Sequence, residues 1–241
     1  MAREELTICL PSLPPGTARQ AIAEALAPFD YNRPSEDATP GHWDSWCMGA
    51  AGSEFWVKPE FADDPRVILE YEPTRARSTH IIPPGRCSGG PVGVLDIDGQ
   101  RSRAAAKADA LWREWQEFSS NFPSARSLSD LIDEEPEATR RRPGPAWHRY
   151  AAQPVMRAVL GDAALQSRFG QTAVGDFGVG REVFSRQRAY ASLARFGGFL
   201  TLDGTWLEPS SDPDHRYAET VNRYIDALTP DTLLVKVTYH G

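Results

Sequence analysis

The chain has 241 residues, 41% of them hydrophobic, enough apolar surface to build a core of ordinary size and to fold without help. Its 33 acidic residues outnumber 26 lysines and arginines, giving a net charge of −7, so the molecule as a whole is repelled by phosphate backbones and anionic membranes. Nucleic acid and membrane surfaces are therefore not its expected partners.

At the N terminus "LTICL" (Leu6 to Leu10) has the composition of a strand. "PPG" then turns the chain into "TARQAIAEALAPF", where Ala18, Ala21, Ile22, Ala25 and Phe29 recur at helical spacing and Thr17 stands at the capping position. A polar loop rich in turn formers follows, then the segment "GHWDSWCMGAAGSEFW" (Gly41 to Trp56), which holds three of the seven tryptophans. "EFWVK" and "RVILEY" read as two further strands. After "PPGRCSGGP" comes the longest helical signal, Gly99 to Phe118, with Ala104, Ala108, Leu111, Trp112, Trp115 and Phe118 on one face and Asp98 placed to cap it. "SLSDLIDEE" predicts a short helix, and "ATRRRPGPAW", with Arg140 to Arg142, a solvated linker. Two or three helices are expected between Trp147 and Arg195, broken at Pro154 and Gly161. "GGFLTL", Asp203-Gly204 and "TWLEP" predict a β-hairpin. "RYAETVNRYIDAL" puts Tyr217, Val221, Tyr224, Ile225 and Leu228 on one helical face, and "TLLVKVTYH" closes as a strand.

Strand, helix, strands, a helical block, hairpin, helix and strand make an α+β order in which the two terminal strands can lie side by side. The expected architecture is a ferredoxin-like antiparallel sheet in one domain over residues 1–241, with a predominantly helical insertion at 99–195. The apolar run near the N terminus is cut by Pro11 and is too short for a signal-peptide core. No later stretch reaches the roughly 20 apolar residues that span a bilayer. Cys9, Cys47 and Cys87 are odd in number and fall into no zinc or disulfide spacing, which points to a reducing, cytoplasmic location.

The tryptophan segment is the first candidate site. In an extended chain Trp43 and Ser45 face one way, Asp44 and Trp46 the other, and Cys47 returns to the Trp43 side. An aspartate beside indole rings in a dry cleft is a candidate general acid or base, and Trp43, Trp46 and Trp206 are candidate walls for a planar ligand. The competing account makes the tryptophans core and Asp44 a turn cap.

"GRCSGGPVG" adds Arg86 and Cys87 beside flexible glycines that would let a backbone approach a ligand, although a plain loop explains the same residues. A thiol mechanism would use Cys47 or Cys87 with one of His42, His80, His148, His215 or His240. Buried, inert cysteines are the competing account. No short ligand spacing supports zinc on Cys47, Cys87, His42 and His240, and no metal or cofactor is assigned. Gly178, Gly180 and Arg181 could meet an anion at a helix start. Asp96 and Asp98 could hold a divalent cation or act as a cap and a surface acid. His240 alternates with Lys236 and Thr238 and so belongs to the more polar face of the last strand.

Five stretches, "LPSLPPG...AEALAPFD", "WDSWCMG", "RCSGGPVGVLDIDGQR", "FLTLDGTWLEP" and "VNRYIDALTPDTLLVKVTYH", resemble in order the blocks of a family encoded by actinobacteria and their phages. In that family the blocks read WDWYxIGGRW, CxGGPxxxLDLxxxR, tDGxWxxPGxMGWFG and a terminal VDCH. The chain departs from them at Gly49-Ala50-Ala51-Gly52 in place of GGRW, at "SSDPDHRYAE" in place of MGWFG, and at Tyr239 in place of the cysteine of VDCH, with His240 kept. The resemblance implies a divergent member, specialised for a particular ligand or biosynthetic step, and brings no assigned activity. The expected function is small-molecule binding, with acid–base chemistry by Asp44 or His240, in an aromatic-walled pocket between sheet and inserted helices. The rival is a non-enzymatic regulatory protein whose aromatic surface contacts a protein partner.

Overall fold

A computed structural model describes residues 3–32, 41–71, 81–135, 144–194, 197–209 and 216–241. In chain order these form β1 (Arg3–Leu10), α1 (Ala18–Leu26), β2 (Ser45–Met48), β3 (Phe55–Trp56), β4 (Arg86–Cys87), β5 (Gly89–Pro91) and α2 (Ile97–Ser119). A run of shorter helices follows: α3 (Leu128–Asp133), α4 (Pro145–Ala152), α5 (Pro154–Gly161), α6 (Ala163–Phe169), α7 (Ala173–Gly178) and α8 (Arg181–Ala191). The chain returns to strand with β6 (Gly198–Leu200) and β7 (Trp206–Leu207), then α9 (Arg216–Asp226) and β8 (Leu233–His240). It divides into two compact units, one made of residues up to Ser102 together with those from Tyr190 onward, the other of Arg103–Ala189. Among the described residues no helix is long and apolar enough to cross a membrane.

The first unit is a mixed α+β structure whose sheet is mostly antiparallel and is organised around β8. This strand pairs along its whole length with β1, from Arg3 opposite His240 to Leu10 opposite Leu233. Its other edge is shared by β2 at the His240 end and β5 at the Leu233 end. On the far side of β1 lies β6, parallel to it, followed by β7, antiparallel to β6. The order β2-β8-β1-β6-β7 sets the first strand of the hairpin beside β1. A ferredoxin-like sheet would set the hairpin's second strand there, so the expected topology is not reproduced at this position.

Two-residue periodicity decides what each face of the sheet buries. Leu6, Ile8 and Leu10 of β1 and Leu233, Val235, Val237 and Tyr239 of β8 point to one side, where Ile22, Leu26, Phe29 and Met48 complete a core. On the opposite side Cys9 and Leu234 join Phe55, Cys87, Leu95, Phe199, Val221 and Ile225. Along that second face the register then passes from Cys9–Leu234 to Thr7–Lys236 and on to Glu5–Thr238. The face thus changes from apolar to polar within three steps, and this grading positions the candidate site.

Several local expectations change in the structure. "RVILEY" contributes a single bridge, Ile68 to Gly89, rather than a strand. Helix α2 is capped by Asp96, whose Oδ1 accepts from Gly99 N at 3.1 Å, while the Asp98 side chain, 95% exposed, meets Arg101. Thr17 donates its hydroxyl to Pro14 O and makes no cap bond to α1. The expected break at Pro154 is present, this residue opening α5, where its missing N–H costs nothing. Arg140 to Arg142 lie outside the described residues.

The second unit is helical, with Trp115 stacked on Phe177 (ring centroids 5.1 Å apart) at the centre of a core containing Leu131, Tyr150, Met156, Val159, Phe169 and Phe184. Within it α3 begins with a reciprocal cap, Ser127 accepting from Asp130 N and Asp130 accepting from Ser127 N.

The glycines of "CSGGP" are sheet residues. A Cβ on Gly89 would lie 2.5 Å from Leu234 O and 2.9 Å from Val235 Cα. Gly89→Ala must therefore separate β5 from the central strand and is expected to lower stability by about 2 kcal/mol or more in urea unfolding.

Candidate functional site

At the polar end of the sheet, Ser45 is in register with His240 and Cys47 with Thr238. Asp44 precedes the strand at a bend; its N–H donates to His240 O (2.9 Å), which turns its carboxylate toward the imidazole. Asp44 Oδ1 lies 2.9 Å from His240 Nδ1 and also accepts from Ser45 Oγ at 3.0 Å. The hydrogen bond with His240, backed by the Ser45 hydroxyl, holds the Asp44 carboxyl below the ordinary aspartate range. An ionised carboxylate accepts only, so Nδ1–H is the donor and Nε2 is left as the basic nitrogen of the neutral ring. The two side chains are 44% and 27% exposed, open enough to meet a solute. Residues 196 positions apart thus form one unit, and two of the three candidate catalytic groups meet.

Cys47, the third, shares this face of β2. Its Sγ lies 3.6 Å from Thr238 O, and Thr238 Oγ1 donates to Gly49 O at 2.8 Å. Cys87 is fully buried, and burial pushes its thiol up to about 12. It packs in the core with Phe55 and Leu95. Its neighbour Arg86 stacks over the Trp56 ring at 4.5 Å and pairs with the buried Glu54 at 3.5 Å. Cys9 is likewise buried, with its thiol pushed up.

The bend at Asp44 also breaks the alternation expected of the tryptophans. Trp43 and Trp46 pack against the same core as Tyr239 and Met48, and the Trp43 indole donates to Leu26 O at 2.9 Å. Arg19 lies over Trp46, 5.4 Å from the ring centroid. Trp206 belongs to the same side, stacked on His42 (4.6 Å, 15°) and packed on Phe29 and Tyr239, with its indole nitrogen buried and unpartnered among the described residues. The three rings brace the sheet on its apolar side, while the Asp44–His240 pair faces the other.

Two clefts lie elsewhere in this unit. One, of about 160 Å³, is lined by residues of the Ser12–Arg19 and Pro65–Glu70 segments. The other, of about 250 Å³, lies between Lys58, Asp96, Asp98 and Asp226; neither touches the three tryptophans.

The remaining candidates are dispersed. His42 pairs with Glu208 at 3.0 Å, and His148 is exposed on α4 in the other unit. His80 and His215 lie outside the described residues. Arg181 is engaged by Asp109. Among the described residues no group of three or more His, Cys, Asp or Glu could hold a metal ion, so the Cys47, Cys87, His42 and His240 set is not assembled.

The burial of one polar-face residue escaped sequence reasoning. Lys236 is 6% exposed on the same face as Thr238 and His240, its Nζ donating to Leu193 O at 3.2 Å and lying 5.1 Å from the Phe55 ring centroid. Desolvation lowers its pKa to about 8, against a smaller opposing pull from Glu5. The available signal was a lysine embedded in "LLVKV", with a β-branched residue on either side.

Protein-family models, curated proteins and solved structures were compared with the chain, and none matches.

Two outcomes follow from burial. Iodoacetamide on the folded protein should alkylate Cys47, with Cys9 and Cys87 reacting only after denaturation, as peptide mass spectrometry would show. Lys236→Met should stabilise the fold by up to about 3 kcal/mol at pH 7, from a fall in the lysine value from 10.5 to about 8. The sign follows from the unfolded chain keeping the higher value. Between about pH 8 and 10.5 the unfolded state holds the extra proton, so native stability rises with pH. The advantage of the variant is therefore complete below pH 8 and shrinks toward pH 10.5 in parallel denaturation curves.

Proposed function

We propose that the protein binds a small molecule on the polar face of its sheet and moves a proton on it, with His240 as the acid–base group and Asp44 as the residue that orients it. The observation that carries this reading is the 2.9 Å contact between Asp44 Oδ1 and His240 Nδ1 at a partly open surface. The carboxylate fixes the ring tautomer, stabilises the imidazolium once Nε2 has taken a proton, and leaves that proton available for return. Covalent catalysis through Cys87 is disfavoured because that thiol is sealed in the core.

Trp43, Trp46 and Trp206 support this site from behind by fixing β2, β7 and β8. Their packing on the core gives little support to the rival reading of an aromatic protein-docking surface. The free cysteines are in keeping with a reducing, cytoplasmic compartment, and membership of the actinobacterial and phage family rests on the quoted sequence blocks.

The test incubates the protein with a metabolite extract and follows all small molecules by mass spectrometry. Wild type should consume at least one of them. His240→Gln should slow that consumption by about 100-fold or more and Asp44→Asn by less, while Cys47→Ser leaves it in place. Equal consumption by wild type and His240→Gln removes the proton-transfer role.

A further inference from the structure

Lys236 is a buried cation whose hydrogen bonding is incomplete. It sits between Val235 and Val237, each 0% exposed, on the strand that carries His240. An ammonium offers three N–H donors. Leu193 O accepts one, and the Phe55 ring faces the amine at 5.1 Å. Thr7 stands directly opposite on β1, with Glu5 one step along the same face, where Ser53 Oγ donates to Glu5 Oε1 at 2.8 Å. Glu5 attracts the ammonium through space, yet among the described residues no carboxylate lies within ion-pair distance of it. Among the described residues the cation therefore has neither a close counter-charge nor an acceptor for its remaining donor. A desolvated ammonium in this condition is strongly disposed to accept an anionic oxygen.

Lys236 and His240 are four residues apart on one face, about 13 Å along the strand. Glu5, on the same face, disfavours a second negative charge nearby.

We propose that Lys236 is the anchoring group for the ligand, taking one carboxylate oxygen, so that the molecules handled at this site are small monocarboxylic acids. The part concerning chemistry rests on the reading of Asp44 and His240 given above, whereas the binding part stands alone.

Acetate is the probe, tested on the full chain against chloride at equal ionic strength. At about 50 mM, roughly five times an expected Kd of about 10 mM, acetate should raise the Tm of wild type by about 2–4 °C. His240→Gln should keep this shift and Lys236→Met should lose it. In wild type with ¹³C-labelled lysine, the Lys236 ε-carbon resonance should move with acetate and stay fixed with chloride, a measurement that needs no variant to fold. No acetate effect on wild type, an equal effect in Lys236→Met, or an unmoved Lys236 resonance overturns the anchor. If acetate binds through Lys236 while His240→Gln still consumes metabolites as wild type does, the anchor survives and the acid–base reading falls.

Discussion

The structure depends on the antiparallel ladder between β1 and β8, which joins the two ends of the described chain over eight residue pairs. Because β8 is also the strand on which β2 and β5 assemble, its side chains decide what both faces of the sheet become. One face is apolar from Leu6 to Leu10, with Glu4 beyond it accepting from the Tyr239 hydroxyl, and is closed by α1 and the tryptophans. The other is apolar only as far as Leu234, beyond which Lys236, Thr238 and His240 alternate along it. A site of mixed charge is built by continuing a core strand past the point where its core ends.

This arrangement separates two tasks that the sequence presents as one. "GHWDSWCM" reads as a compact group of aromatic, acidic and thiol chemistry, but a single bend at Asp44 sends the indoles to the apolar face and the carboxylate to the polar face. The aromatic residues act on the site through rigidity, holding β2 in the register that presents Asp44 to His240.

Much of the fold was legible because it rests on local periodicity. β1, α1, α2, the hairpin, α9 and β8 follow from two-residue and 3.6-residue patterns, and the pairing of the terminal strands from their shared apolar alternation. Less legible was whatever depends on tertiary partners. "RVILEY" has a strand's composition, but only Ile68 finds a backbone partner in β5. The glycines of β5 look like a ligand-binding loop in sequence, and only the 2.5 Å approach to Leu234 O reveals a packing role. At the site, the polar placement of His240 followed from strand alternation, whereas its contact with Asp44 depends on inter-strand register and a bend that no local pattern encodes. Alternation also placed Lys236 on the polar face, but not its burial, since a lysine in a strand ordinarily points to water and only the packing of Phe55 and Leu193 closes over this one.

The register of β1 with β8 also constrains how the protein is made. On a translating ribosome β1 emerges well ahead of its antiparallel partner, which is synthesised more than two hundred residues later. Until then Leu6, Ile8 and Leu10 lack their closing strand, while the helical unit already has every residue of its own core. The nascent chain must therefore carry an exposed, aggregation-prone edge until β8 follows, and the Asp44–His240 contact can form only when that wait is over.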